Sequence, residues 1–178
     1  MEFETFIRRL EEVKDISLIE NGYSHIIYNV LYDHVLNSEY MLVDVSTYKR
    51  WYDGKPKNIE LLSEGLCAVP DFVITNKVTS LKNINRLGCI EVKFNSSDVN
   101  GERLDDENDE KGYLSVYNHN VIYTNGWIWK YYAGDKNDKG ENVPCWIFDF
   151  SQEEQKNAKT YYMLLMKLNE IKWDKGLE

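Results

Sequence analysis

Three residues stand out in this chain for what their types and spacing could do: Asp71, in Pro70-Asp71, and the pair Glu91 and Lys93, in Glu91-Val92-Lys93. Asp71 opens the apolar run Phe72-Val73-Ile74, and twenty residues later Glu91 and Lys93 are embedded in Ile90 to Phe94. Both runs read as strands, over 70 to 75 and 88 to 94. Residues i and i+2 of a strand share a face, so Glu91 and Lys93 project together while Ile90, Val92 and Phe94 point into a core. With Asp71 on the neighbouring strand, two carboxylates and one ammonium converge on one pocket. That is the inventory of a magnesium site for phosphodiester hydrolysis. Mg²⁺ takes oxygen ligands in a near-octahedral shell and keeps several waters, so Asp71, Glu91 and the main-chain carbonyl of Val92 can supply part of that shell. The ion would polarise a phosphate and acidify a water. Lys93 would orient that water or offset transition-state charge, whereas general-base duty would require a lowered pKa. Mn²⁺ is the alternative cation. The competing reading of the same three residues is a solvated strand face with a surface ion pair.

The elements that must position these residues follow from periodicity. Phe3, Phe6, Ile7, Leu10 and Val13 recur at helical spacing and predict an amphipathic helix over 2 to 14. A second helix, with Ile26, Ile27, Val30, Leu31 and Val35 on one face, follows Asn21-Gly22 and ends near Asn37. Tyr40 to Val45 reads as a strand. Asn125-Gly126, between Val121-Ile122-Tyr123 and Trp127 to Tyr132, predicts a type I′ hairpin. A further strand is expected at 144 to 149, and Ser151 with Glu154 reads as a capping box opening a C-terminal helix with Tyr161, Leu164, Leu165, Leu168 and Ile171 inside. The order helix, helix, strands, helix implies one α+β or three-layer α/β domain around a mixed sheet.

Composition sets bounds. The 178 residues carry 21 Lys+Arg against 30 Asp+Glu, a formal charge of −9, which excludes a uniformly basic nucleic-acid-coating protein. Seven acids and two bases between Asp98 and Lys111 account for −5 of it and predict a solvated loop leading into a short helix. Residues 48 to 86 carry seven bases and four acids, a balance of +3. Cys67, Cys89 and Cys145 have no C-x-x-C spacing, and no apolar run approaches the length of a membrane span, so a reducing, cytoplasmic setting is expected. His25, His34 and His119 lack ligand-like spacing and receive no role.

Pro70-Asp71 followed by Glu91-Val92-Lys93 resembles the PD-(D/E)xK signature of the restriction-endonuclease-like nucleases. The chain is most similar, over about residues 16 to 132, to the N-terminal nuclease domain of type I restriction enzyme motor subunits. In those proteins the E-x-K strand leads through a helix to a strand ending in T-N-G and an aromatic, and Thr124-Asn125-Gly126-Trp127 matches. The resemblance implies a restriction-endonuclease-like fold, Mg²⁺ held by Asp71 and Glu91, Lys93 acting on the nucleophile, and DNA as substrate. It also implies a helper glutamate from an early helix, for which Glu20 is the matching residue. The family's glutamine on the helix after E-x-K is absent from Lys111 to Asn118, and 178 residues leave no room for the motor domain.

Lys49, Arg50, Lys55 and Lys57, interleaved with Trp51 and Tyr52, are candidate phosphate contacts, as are Lys77, Lys82 and Arg86 between the two motif strands, near the expected pocket. A homodimer would place two sites on opposite strands. A second hypothesis, of a different class, is a phage or mobile-element inhibitor that uses a nuclease-like fold and an acidic surface to engage a bacterial defence effector such as a CRISPR nuclease. Mg²⁺-dependent cutting separates the first hypothesis from the second.

Overall fold

A computed structural model describes residues 1–16, 21–35, 40–46, 69–77, 83–106 and 112–174. Among these residues six strands form one mixed sheet in the order β1 (Tyr40–Asp44), β2 (Phe72–Asn76), β3 (Arg86–Val92), β4 (Val121–Thr124), β5 (Ile128–Tyr132), β6 (Trp146–Asp149). Neighbours are antiparallel except β3 and β4, which run parallel. A parallel pair cannot be joined by a tight turn, so the chain crosses over between them. The crossover carries a 3₁₀ turn at Ser96–Asp98 and the single-turn helix α3 (Tyr113–Val116).

Period-2 alternation divides the sheet's buried residues between two cores. On one face Phe72, Ile74, Ile90, Val92, Ile122 and Trp129 meet helices α1 (Phe3–Ile16), α2 (Asn21–Val35) and α4 (Ala158–Glu170). Phe6 and Leu10 of α1, Ile27 and Leu31 of α2, and Tyr161 and Leu164 of α4 are fully buried there, each set at the i, i+3 or i+4 spacing of one helical stripe. On the other face Val73, Cys89, Val121 and Tyr123 are covered by the crossover, through Val99, Leu104, Tyr113, Leu114 and Tyr117. Glu91 shares this second face. The architecture is therefore α+β with a mixed sheet.

Several local expectations are corrected. The C-terminal helix begins at Ala158 with Asn157 as its cap, the Asn157 side chain accepting from the Thr160 amide at 3.0 Å. The Ser151 hydroxyl and amide are both taken by the Asp149 carboxylate, so Ser151 and Glu154 form no capping box. The hairpin is not type I′, which needs φ > 0 at two successive residues. Only Gly126 is positive (φ 85°), and Asn125 acts through its side chain instead, its Oδ1 accepting from the amides of Trp127 and Ile128. Strand β3 ends at Val92, so Phe94 leaves the core, stays 38% exposed and rests on Tyr23.

Candidate functional site

The β2–β3 register sets the site. Phe72 pairs with Ile90, so continuing that register by one residue places Asp71 opposite Glu91 on the same face. The main chain is pinned here, the Asp71 amide donating to the Ile90 carbonyl at 3.1 Å and the Val45 amide to the Asp71 carbonyl at 2.9 Å. The Asp71 side chain reaches across to β3, where Oδ2 accepts from the Val92 amide at 2.7 Å. Just past the end of β3 the Lys93 ammonium sits 3.1 Å from Glu91 Oε1, and from the crossover the Tyr113 hydroxyl donates to Glu91 Oε2 at 3.2 Å. The Lys93 amide donates to the Thr124 carbonyl, fixing the end of β3 against β4.

Burial decides between the two readings of these residues. Asp71 is 7% and Glu91 4% exposed, so the pair is not a solvated strand face. Two carboxylates are thus held away from solvent, with the Lys93 ammonium on one of them, and buried charge is costly unless it is paired or binds a cation. Hard, anionic oxygen donors on facing strands are what Mg²⁺ takes, and two protein carboxylates suffice because the ion keeps several waters. The donor chemistry of Asp71 and Glu91 fits the group. Among the described residues no cluster of three or more His, Cys, Asp or Glu side chains is arranged to hold a metal.

The surroundings keep neighbouring groups neutral. Burial, followed by the charge of Glu91, pushes the Tyr113 hydroxyl far above its ordinary value, which keeps it a proton donor toward Oε2. Cys89, two residues before Glu91 on the same face, has its thiol pushed up by burial and then by Glu91 and Asp71. Tyr123 pairs with Glu91 across β3–β4, its own hydroxyl is held protonated by burial, and it donates to the Glu102 carbonyl. That last contact lays the acidic crossover segment over the face that carries the two carboxylates.

The described part of the acidic segment, 98–106, is largely exposed and leads toward α3, with its carboxylates engaged locally. Asp106 accepts from the Gly112 amide and the Ser115 hydroxyl, both at 2.7 Å, and so closes the start of α3. Asp105 holds Lys136 at 3.1 Å and Asn142 at 2.6 Å. Hydrogen bonds from Asn95 and Ser97 hold the Asp98 carboxyl below its usual range.

Among the other predicted residues, Glu20, Lys49, Arg50, Lys55, Lys57 and Lys82 lie outside the described residues. Lys77 and Arg86 are not beside the carboxylates. Lys77 follows the last residue of β2 and Arg86 pairs with Thr75, at the far end of the β2–β3 pair from Asp71. At about 3.3 Å per strand residue, Lys77 lies roughly 20 Å along the strand from Asp71 and the Thr75–Arg86 pair roughly 13 Å. Tyr113 is the partner to which sequence reasoning gave no role. Its only signal was a place in the helical segment after Glu-Val-Lys, and the contact to Glu91 depends on how the crossover folds back. Comparison with protein-family models, with curated proteins and with solved structures finds no match for this chain.

Proposed function

We propose that this chain is a Mg²⁺-dependent nuclease of the PD-(D/E)xK type, with a restriction-endonuclease-like fold, acting on DNA. The observation that carries the reading is the opposition of buried Asp71 and Glu91 on adjacent strands with Lys93 hydrogen-bonded to the glutamate. The order of elements supports it too: three antiparallel strands, a crossover bearing a helix, and a parallel strand leading into Thr124-Asn125-Gly126.

Asp71 and Glu91, with the Val92 carbonyl, would hold the cation, which when bound supplies charge neutralisation and Lewis acidity at the phosphate. The residues of the chain do the rest. The Val92 amide fixes the Asp71 rotamer, and Tyr113 and Lys93 fix both oxygens of Glu91, so the carboxylates are preorganised. Lys93 is only 17% exposed in its side chain and stays beside Glu91, where its N–H groups can orient a water and offset negative charge developing on phosphorus. The free thiols of Cys89 and Cys145 suit a cytoplasmic setting. The test is incubation of plasmid with the purified protein and Mg²⁺ or Mn²⁺ beside an EDTA control. Metal-dependent nicking supports the proposal, and no cutting by folded protein with either ion sinks it.

A second reading, a protein-binding inhibitor of a defence effector, is favoured by one observation: the acidic segment at Glu102 is bonded to Tyr123 over the carboxylate-bearing face, where it would repel DNA and attract a basic partner. Capture of a purified effector, unchanged by substitution of Glu91 and Lys93, would select this reading. No helix among the described residues is long and apolar enough to cross a membrane.

A further inference from the structure

A separate cleft of about 380 Å³ opens where β3 and β4 end, on the side of the sheet that carries α1 and α2. Its walls come from five places in the chain: Lys14 of α1, Tyr23 of α2, Phe94 to Ser96 just beyond Lys93, Trp127 of the hairpin, and Lys156 of the turn before α4. The C-terminal ends of parallel strands are where open sheets most often take ligands.

Three features of the cleft point to the kind of ligand. Phe94 is 38% exposed, an aromatic ring left in solvent directly after the Glu-Val-Lys strand. The Trp127 indole ring forms part of the cleft wall. Two ammonium groups flank these rings. Lys156 lies 5.6 Å from the centre of the Trp127 ring and 2.6 Å from Glu11, and Lys14 also lines the cleft, with Glu153 as an acid in its lining. Aromatic faces and cations fit a flat ring attached to an anion. A nucleotide unit has those groups. The volume admits one splayed nucleotide and is too small for a stacked duplex, which favours a single strand.

We infer that this cleft binds one nucleotide of single-stranded DNA, its base against Phe94 and Trp127 and its phosphate against Lys14 and Lys156. The inference rests on the nuclease reading for its choice of substrate and assigns to the reaction a set of positioning residues next to Lys93 in the chain.

Binding can be read without catalysis, as the anisotropy of a fluorescein-labelled thymidine 10-mer titrated with protein in EDTA. Wild-type protein should bind the oligonucleotide without a divalent ion. Phe94→Ala should weaken binding by about fivefold or more, as loss of a base-stacking ring does. Lys14→Ala should lower the slope of log K against log salt by about 0.7, with Lys14→Arg restoring it. Thermal melts of each variant separate lost binding from lost folding, and Phe94→Leu serves as the volume-keeping control, expected to fold and still bind weakly. The inference is overturned if wild type does not bind the oligonucleotide, or if folded Phe94→Ala and Lys14→Ala bind as wild type does. Cleavage that survives in those variants while binding is unchanged removes the cleft and leaves the nuclease reading in place. Cleft-dependent binding with no cleavage in Mg²⁺ keeps the cleft and removes the nuclease.

Discussion

The Asp71 carboxylate accepts the Val92 amide across the β2–β3 pair at 2.7 Å, so the first acid of the site is locked to the backbone of the strand that carries the second. A charge-assisted bond of this kind fixes the rotamer and the spacing of the two carboxylates together.

Replacing Asp71 therefore has two separable effects. Asp71→Ala leaves a buried amide without its acceptor, at a cost of about 1–3 kcal/mol. Asp71→Asn keeps an oxygen for Val92 and removes only the charge. The expected outcome is a clear fall in melting temperature for the alanine variant, a melting temperature close to wild type for the asparagine variant, and loss of metal-dependent cleavage in both. Melts and nicking assays on the same preparations check it.

Lys93→Met should fold, because the aliphatic stem is retained in a partly buried position, and should slow cleavage by about 10²-fold or more, the usual cost of a transition-state electrostatic partner. Tyr113→Phe removes one hydrogen bond to Glu91 and should slow cleavage less. Single-turnover rates at saturating Mg²⁺ rank the two, and equal rates for Lys93→Met and wild type would exclude Lys93 from the chemistry.

The buried tyrosines predict an alkaline limit to stability. Tyr113, Tyr117 and Tyr123 have hydroxyl pKa values raised, chiefly by burial, well above their ordinary value near 10, and Tyr131 is pushed up to about 12. Between the ordinary value and the raised ones the unfolded chain loses protons that the folded chain keeps, so the stability these tyrosines contribute is fully present below pH 10 and is lost as pH rises above it. Denaturant midpoints from pH 8 to 11.5 should decline above pH 10, and absorbance at 295 nm should show a class of tyrosines ionising only as the fold opens. Smooth titration of all 13 tyrosines near pH 10 in folded protein would contradict this.

Two glycines test the scaffold around the site. A Cβ on Gly126 would stand 2.6 Å from Leu10 Cδ2 at a φ of 85°, so Gly126→Ala should cost about 1–2 kcal/mol for the left-handed backbone alone. At Gly88, three residues before Glu91, a Cβ would meet the Trp173 ring at 2.5 Å. Gly88→Ala should destabilise the wild type more than it destabilises a Trp173→Ala background, a coupling that a double-mutant cycle by denaturant unfolding measures.

The site's strands were legible because Glu91 sits in strict alternation, where a one-residue slip would bury the wrong face, and Asp71 opens the short apolar run Phe72-Val73-Ile74. The face shared by Glu91 and Lys93, and its separation from Ile90 and Val92, were legible for that reason. The helices α1 and α2 were legible from their apolar stripes. Contacts set by tertiary folding were not. Ser151 and Glu154 have capping-box spacing, but Asp149 competes for Ser151 and Asn157 supplies the cap. Asn-Gly predicts a type I′ turn from backbone preference, and the Asn125 side chain wins the local competition by taking two amides. Lys77 and Arg86 flank the loop between the motif strands, and a hairpin's loop lies at the end away from residues at the strands' outer termini, which composition alone does not reveal.

The pairing of Asp71 with Glu91 is tested most directly by locating a divalent ion in crystals soaked with Mn²⁺, using its anomalous signal. A peak between the two carboxylates, absent from Glu91→Gln crystals treated the same way, is the predicted result. Well-ordered Asp71 and Glu91 with no anomalous density beside them at saturating Mn²⁺ would contradict the assignment of this pair as a metal centre.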